Sequence, residues 1–322
     1  MITKELIADY LEFRSEVQES TKRSSIRPVL NSLMDFEKEF GKSLCNFSKE
    51  DFEVVFVEKD WVGGGFKSKK SVVKNFIQWD VDINGVLYGI DFDTFVLDDN
   101  VQFKFYKSAY FETEKDFVES LKYLLARKEK LVRGLAICAL YWAGFSRQEI
   151  VNIKIDDMDE QSHTICGRKV SCDLYDFIKD CASIKSYSFG ISNMATVTKT
   201  FANTGYVIRL GEDSVSSNKK TVTIDVLRKQ VCYIGEEIDT LLPGDKLYGK
   251  RFNQKFLNRN GEFCKMYDYE LSIGDPHFFE SVTFSEVEDF FRNVCYDKAI
   301  KSVGYRWMTN SYKIWKKCYK DE

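Results

Sequence analysis

The stretch that decides the fold is AICALYWAGFSRQEIVNIKIDDMD, which runs from Ala136 to Asp159. It begins within a segment, Lys130 to Ala143, that is apolar on nearly every side from Leu135 onward. A helix without a polar face has no side to turn toward water, so we expect this one at the centre of a domain. A short helix is expected after it, from about Arg147 to Asn152.

The residues around this central helix predict a domain that is mainly helical with a small β-sheet. Upstream, Phe117, Leu121 and Leu124 mark the apolar face of one more helix. Downstream, HTICG and RKVSC are strand-like segments around a turn near Gly167, and the stretch from Thr196 to Leu210 is ambiguous. Further helices are predicted at about Asp173–Ala182, Val222–Leu241, Phe284–Ile300 and Asn310–Lys320.

The N-terminal part of the chain, up to about residue 85, predicts four helices. Helix one is expected at about Thr3–Gln18 and helix two at about Ser25–Phe40. Ser48, with Asp51 three residues on, resembles a capping box at the start of helix three. The triplet Gly63-Gly64-Gly65 then breaks the chain before helix four.

A linker with strand character is expected between these helices and the central domain. The segments IDFDTFVL and VQFKFYK, which lie between about Gly85 and Tyr110, alternate apolar and polar residues with period two. The chain is long enough for two domains. We place the boundary near residue 105, which gives domains 1–105 and 106–322.

Composition argues against several classes of protein. Hydrophobic residues make up 44% of the 322 residues, which is ample for packed cores and argues against disorder. The nine cysteines form no C-x-x-C pair, so we expect reduced thiols in a cytoplasmic protein, with no zinc site, other metal or cofactor. The N-terminus lacks the basic start and apolar run of a signal peptide, and no apolar stretch reaches the ~18 residues of a membrane span.

The central stretch resembles the box of tyrosine recombinases, the phage integrase family, that holds their first catalytic arginine. In that family an apolar helix ends in Thr-Gly-Leu-Arg, and a Glu follows after two more residues. Here Ala143-Gly144-Phe145 stand where Thr-Gly-Leu is expected, and Glu149 and Asp157 fall in the matching places. The strands that follow, with Lys169 between them, and the helix after Asp173 continue in the family's order.

The resemblance also implies an architecture for the whole chain. The four N-terminal helices look like the family's core-binding domain, which clamps the DNA duplex opposite the catalytic domain. The expected fold is therefore mainly α with a small β-sheet (α+β) and tyrosine-recombinase-like. Residues 1–105 would form a helical, SAM-like core-binding domain with its linker, and residues 106–322 a catalytic-like domain.

The catalytic residues of the family are missing from their expected places. Ser146 occupies the position of the first arginine, and Arg147 beside it would point about 100° away around a helix. Neither His163 nor His277 begins the family's His-x-x-Arg motif, and Tyr312 lacks the spacing of the family's nucleophile. Paired arginines stabilise the charge that builds on the phosphoryl oxygens, so we expect essentially no strand cleavage without them.

The resemblance assigns DNA contacts to the second and fourth helices of the N-terminal domain. The net charge of −3 does not by itself indicate a nucleic-acid partner, so local patches must decide. The two matching segments, Ser20–Met34 and Trp61–Trp79, are basic and contain no acid, and Val72, Phe76 and Trp79 form the apolar face of helix four. The candidates for DNA contact here are Lys22, Arg23, Arg27, Lys67, Lys69, Lys70, Lys74 and Asn75.

Two more features fall in the second domain. Arg147, Arg168 and Lys169 are candidates for residual phosphate contacts, and weaker candidates are Lys199, Arg209, Lys219 and Lys220. In the last predicted helix, Tyr312, Trp315 and Tyr319 share one apolar face, which favours docking. The sequence leaves open whether this helix docks within its own chain or on a second copy, where it would support self-association.

The residues and the resemblance together favour a DNA-binding regulator built on a recombinase scaffold that no longer cuts. In size and in this loss of catalytic residues the chain is similar to the master repressors of SPβ-type Bacillus prophages. That similarity implies a repressor that binds an operator in phage DNA in the bacterial cytoplasm and maintains lysogeny. Two alternatives stay open: a divergent active recombinase, and an interaction protein that has lost DNA binding.

Overall fold

The computed structural model of the chain describes residues 1–191, 194–216, 220–295 and 302–320. Within these residues the protein is mainly helical with two small antiparallel β-sheets, which confirms the α+β class expected from the sequence. The chain divides into two compact units. Unit 1 comprises Met1–Phe105 and Arg306–Ile314, and unit 2 comprises Tyr106–Tyr305 and Trp315–Glu322.

Unit 1 contains the four helices predicted in the N-terminal part of the chain, as α1, α3, α4 and α5. Its elements are α1 (Lys4–Phe13), α2 (Glu19–Thr21), a π-helical turn (Lys22–Ile26), α3 (Arg27–Phe40), α4 (Lys49–Glu58), α5 (Phe66–Asn84) and most of α6 (Asp99–Ala109). The predicted capping box at the start of α4 is present. The Asp51 amide donates to Ser48 Oγ at 3.3 Å, and the Ser48 amide donates to Asp51 Oδ2 at 2.6 Å.

A buried carboxylate holds three parts of unit 1 together. Glu37, on α3, is only 1% exposed. Its two carboxylate oxygens accept hydrogen bonds from the Ile2 and Leu44 amides, both at 2.5 Å. The N-terminus and the turn after α3 are thereby fixed to one side chain, which an apolar residue could not replace without leaving two buried amides unpaired.

The prediction of strands between Gly85 and Tyr110 is wrong. IDFDTFVL has no regular structure, and VQFKFYK lies within α6. The buried side chains of that helix include Phe105, Tyr106 and Ala109, and this spacing is helical. A run of seven residues can alternate in polarity and still bury a helical face, so the pattern alone could not separate the two structures.

Unit 2 is a helical assembly that carries both sheets. Its elements are α7 (Glu114–Arg127), α8 (Val132–Trp142), α9 (Arg147–Ile150), β1 (Met158–Asp159), β2 (Thr164–Ile165), β3 (Arg168–Lys169), α10 (Cys172–Ser183), β4 (Ser186–Ile191), β5 (Met194–Thr200), α11 (Ile224–Asp239), α12 (Gln254–Ile273), α13 (Phe278–Ser281), α14 (Phe284–Asn293) and the two ends of α15 (Ser302–Tyr319), whose middle belongs to unit 1. The strands β1, β2 and β3 form one antiparallel sheet in that order, and β4 pairs with β5 in the other. The strands predicted from HTICG and RKVSC are thus confirmed as β2 and β3.

The central helix predicted from the sequence is α8. Every residue of it except Arg133 is buried, and it packs against α7, α10, α11 and α12. Two glycines permit the close approach of its neighbours. A Cβ on Gly134 would lie 3.0 Å from Ile234 of α11, and a Cβ on Gly261 of α12 would overlap the carbonyl oxygen of Trp142.

Three helices in the C-terminal third differ from the prediction. The 20-residue helix α12 was not expected, because Gly261 and buried polar residues such as Arg259 and Asn260 interrupt its apolar stripe. The helix α14 ends at Asn293, and residues 296–300 of the predicted helix lie outside the described residues. The last helix, α15, begins at Ser302 and not near Asn310.

The apolar face of α15 is buried within its own chain. In unit 2, Trp315 Nε1 donates to the Phe111 carbonyl at 3.0 Å, and the Tyr319 hydroxyl donates to the Tyr110 carbonyl at 2.8 Å. In unit 1, Tyr312 is fully buried. The helix therefore docks in cis, and the face that we considered for self-association is already occupied.

The contact of α8 with α12 predicts a steric effect at Gly261. Changing Gly261 to Ala pushes a methyl group into the Trp142 carbonyl oxygen, which is backbone and cannot rotate away. We expect a loss of about 1–3 kcal/mol in the free energy of unfolding, measured by urea denaturation followed by circular dichroism.

The matched control is Gly235→Ala, also within a helix. Its added Cβ would meet nothing nearer than the Phe252 carbonyl oxygen at 4.0 Å, so the variant should be neutral or more stable by up to about 1 kcal/mol. Equal stability of the two variants would contradict the close packing of α8 on α12.

Candidate nucleic-acid interface

The start of α5 is fixed by close packing within unit 1. Gly64 lies against Trp307, and a Cβ on Gly64 would overlap that indole ring. The Gly64 amide also donates to Ser311 Oγ at 3.4 Å. The glycine triplet before α5 therefore has a packing role, since a side chain at its middle position would displace Trp307.

Helix α5 separates an apolar face from a polar one. Its buried residues include Val73, Phe76 and Ile77, so the core face is centred on Val73 and not on the half-buried Val72 of the sequence prediction. The exposed residues include Lys67, Ser71, Asn75 and Gln78, which follow one another at helical spacing. This exposed face carries positive charge and hydrogen-bonding groups from Lys67 to Gln78, and it ends in the exposed Asp82, which accepts a hydrogen bond from Gln78 Nε2 at 2.9 Å.

The four lysines of α5 do not share one environment. Lys67 is exposed and has no ion-pair partner among the described residues, whereas Lys69 is half-buried. Lys70 Nζ donates to the Phe95 carbonyl at 2.6 Å and to the Asp93 carbonyl at 3.2 Å. Lys74 forms an ion pair with the Asp93 carboxylate. Two of the four predicted contacts are thus engaged with the loop before α6.

The basic residues near α3 lie around a widened helical turn. Lys22 is half-buried and stands at the start of the π-helical turn Lys22–Ile26. Arg23 is exposed, and its Nε pairs with Glu19 at 3.1 Å. Arg27 is exposed at the first residue of α3, with no ion-pair partner in the described part of the chain. Because α3 packs against α5, these residues belong to the same helical pair as Lys67.

In unit 2, Ser146 is the N-cap residue of α9. Its Oγ accepts a hydrogen bond from the Glu149 amide at 3.3 Å, and Glu149 Oε2 accepts one from the Ser146 amide at 2.8 Å. Burial raises the pKa of Glu149, but the hydrogen bonds from Ser146 and the charge of Arg168 outweigh this and leave the pKa lowered. Arg147, next to the cap, is exposed on the first residue of α9.

Arg168 is a buried part of the same arrangement. Its guanidinium forms an ion pair with Glu149, donates to the Gly144 carbonyl at 2.9 Å and lies 4.3 Å from the centre of the Phe145 ring. Its neighbour Lys169 is exposed. These contacts hold the turn between α8 and α9 against β3, so Arg168 is a structural residue here and not a surface arginine.

An open cleft of about 580 Å³ lies beside this turn. It is lined by polar side chains that include Gln148, Asn152 and Arg292, and Arg292 is paired with Glu288. The candidate nucleophile Tyr312 is 0% exposed in unit 1. None of the described residues at this cleft provides an unpaired buried arginine for a phosphoryl group.

Comparison with protein families identifies the N-terminal region. Residues 3–82 match the family model described as the MrpR N-terminal core-binding domain, which is of the phage integrase type. The match spans about a quarter of the chain and covers α1 to α4 and nearly all of α5. No curated protein matches the chain. This match supports a tyrosine-recombinase-like architecture for the mainly helical fold with its small sheets.

Two kinds of feature are absent from the residues that the structure describes. No helix there is long and apolar enough to span a bilayer. Within the same ranges, no group of three or more His, Cys, Asp or Glu side chains is arranged to hold a metal ion.

The different environments of Lys67 and Lys70 predict different effects of the same substitution. Lys70→Gln removes two hydrogen bonds that hold the Asp93 and Phe95 carbonyls, so unfolding should become easier by about 1 kcal/mol. Lys67→Gln, on the same helix, should stay within about 0.5 kcal/mol of the unchanged chain. Urea unfolding of the two variants checks this, and an equal loss in both would contradict the assigned contacts.

Proposed function

We propose that this chain is a sequence-specific DNA-binding regulator that holds duplex DNA without cutting it. The observation that carries the proposal is the core-binding match over residues 3–82, which contain both acid-free basic segments. Within them, Arg27 and Lys67 are exposed cations without ion-pair partners in the described residues. Such cations release counterions from DNA when they contact phosphates.

The exposed face of α5 supplies a means of reading bases. Asn75 is exposed on it, and an amide of this kind forms paired hydrogen bonds with adenine in the major groove, whereas the Gln78 amide beside it already donates to Asp82. Lys67 on the same helix would contact the backbone and set the register. This division of roles supports binding to a defined operator and not only to any duplex.

The absence of strand cleavage is part of the same proposal. Ser146 stands where the family resemblance expects an arginine, and its hydroxyl is used to cap α9. The buried Arg168, which contacts the same turn, is neutralised by Glu149. Cleavage of a phosphodiester needs positive donors aimed at its oxygens, and removing one such donor commonly costs ~10²–10³ in rate.

The biological role that we propose is repression of phage genes in a lysogen. It rests on the similarity in size and missing catalytic residues to the master repressors of SPβ-type Bacillus prophages. A non-cleaving protein that occupies an operator blocks transcription by occupancy alone. Such a protein acts in the bacterial cytoplasm, on the nucleoid, where integrated phage DNA lies.

DNA binding predicts a specific change in salt dependence. Binding weakens as salt rises, so the slope of log K against log [NaCl] is negative. Lys67→Gln should make this slope shallower by about 0.9, the amount expected when one phosphate is no longer neutralised. The measurement is fluorescence anisotropy on phage promoter duplexes. Lys49→Gln, an exposed lysine of α4 that pairs with Glu53, removes the same charge elsewhere on unit 1 and should leave the slope unchanged.

The outcomes of this test separate the proposal from its alternatives. Equal slopes for Lys67→Gln and Lys49→Gln would show that α5 does not contact the DNA. No salt-sensitive binding by the unchanged chain would favour an interaction protein that has lost DNA binding.

The proposal predicts no covalent intermediate. Incubated with nicked suicide duplexes and then denatured in detergent, the chain should release all of its DNA. A protein–DNA adduct that persists after denaturation and disappears in Tyr312→Phe would establish an active recombinase. A circular dichroism spectrum of Tyr312→Phe serves as the folding control, because Tyr312 is fully buried.

A further inference from the structure

An acidic side chain stands on the exposed side of α5. One row along this side, at intervals of four, three and four residues, contains Lys67, Ser71, Lys74 and Gln78. The carboxylate of Asp93 forms an ion pair with Lys74 within this row. Asp93 belongs to the segment between α5 and α6, and its side chain is 71% exposed. A negative charge is therefore held on the surface that we propose for DNA.

Two phenylalanines anchor the segment that carries Asp93. Phe92 and Phe95 are 3% and 4% exposed. Both rings pack on Phe52 of α4, with distances of 4.7 and 6.2 Å between ring centres, and Phe95 also packs on Phe56 at 5.6 Å. Because buried aromatic side chains contribute strongly to a core, we expect the segment to stay in place when a duplex approaches α5.

Hydrogen bonds fix the backbone of the same segment. The Asp93 amide donates to Asp91 Oδ1 at 2.8 Å. From α5, Lys70 Nζ donates to the main-chain carbonyls of Asp93 and Phe95, at 3.2 and 2.6 Å. These bonds use the main chain of Asp93 and not its carboxylate. Only the Asp93 side chain would therefore have to move to release Lys74.

A partner that is fixed in this way competes well with a phosphate for Lys74. The carboxylate is part of the same chain, so pairing with it costs none of the freedom that a separate molecule loses on binding. A carboxylate displaced by a phosphate would also stay close to that phosphate, because the backbone of Asp93 is held in place. The two like charges would repel each other. The exchange therefore costs more than the binding of a phosphate to an unpaired lysine.

We propose that Asp93 is an internal competitor of DNA, which keeps Lys74 out of the phosphate contacts of α5. The inference rests on the proposed function, since it concerns the regulation of that same surface. Phosphate contacts are alike at every sequence, so the loss of one lysine from them lowers the affinity for any duplex. Contacts to bases, such as the one proposed for Asn75, then account for a larger share of the binding free energy.

Lys74 differs in this respect from two other lysines of α5. Lys67 is exposed and has no ion-pair partner among the described residues. Lys70 binds two carbonyl oxygens, which carry no net charge and leave its own charge in place. Removal of the Asp93 charge therefore frees one lysine, so a single substitution tests the proposal.

The test measures the salt dependence of binding of the full chain to a labelled random-sequence duplex, by fluorescence anisotropy. The variants are Asp93→Asn, Lys74→Gln and the double variant that combines them. Asparagine keeps the size of the side chain and the main-chain bonds of this position. The matched control is Glu50→Gln, which removes an exposed acid from the first turn of α4. Urea unfolding shows whether each variant is folded, and an exposed ion pair adds so little that the midpoints should stay close.

We expect Asp93→Asn to bind the random duplex more tightly than the unchanged chain. The slope of log K against log [NaCl] should become more negative by about 0.9, because one more phosphate is neutralised. Lys74→Gln alone should leave the slope unchanged, since this lysine is already paired. The double variant should lose the gain of Asp93→Asn, and Glu50→Gln should keep the slope of the unchanged chain.

Three results would overturn the proposal. Equal slopes in Asp93→Asn and Glu50→Gln would show that Asp93 does not compete with DNA. A steeper slope that persists in the double variant would show that Lys74 is not its cause. A shallower slope in Lys74→Gln alone would show that a phosphate already displaces Asp93 in the unchanged chain.

The same measurements separate this inference from the proposed function. A shallower slope in Lys67→Gln together with an unchanged slope in Asp93→Asn would refute the competitor and leave the regulator intact. Absence of salt-sensitive binding both by the unchanged chain and by Asp93→Asn would refute the proposed function, and the competitor with it.

Discussion

The burial of α8 on every side is the constraint from which unit 2 follows. A helix whose residues are almost all apolar must be enclosed, and α7, α10, α11 and α12 enclose it. The neighbours come close enough only because Gly134 and Gly261 carry no side chain. The end of α8 then sets the position of Phe145 and Ser146, and through them the contacts of Arg168.

The sequence predicted the parts of the fold whose signals are local. The apolar run of α8 and the capping box of Ser48 and Asp51 need no distant partner, and both are present. The helix α12 was missed, because its buried Arg259 and Asn260 are stabilised by partners far along the chain. Arg259 donates to the Tyr110 hydroxyl at 2.6 Å, and the Asn260 side chain binds both the Phe111 amide and the Phe111 carbonyl. The spacing of apolar residues within α12 does not predict contacts with such distant partners.

The candidate interface was predictable as a set of helices but not residue by residue. The acid-free basic stretches mark α3 and α5, yet the sequence cannot show that Asp93 neutralises Lys74 from a loop 19 residues away. It also cannot show that Arg168 is buried against Phe145, or that Arg133 and Arg209 meet across Phe201. In each case the decisive contact joins residues that tertiary packing alone brings together.

We propose that the chain occupies specific DNA sites without becoming covalently joined to the DNA. The most direct measurement is to isolate the unchanged chain from a lysogenic host and to sequence the DNA that it retains. Each sample is divided in two, and the bound DNA is recovered once under native conditions and once after denaturation in detergent. We expect sharp enrichment at a small number of promoter sites in phage DNA, all of it released by detergent. Uniform recovery across the genome, or enriched fragments that stay attached to protein after denaturation, would contradict it.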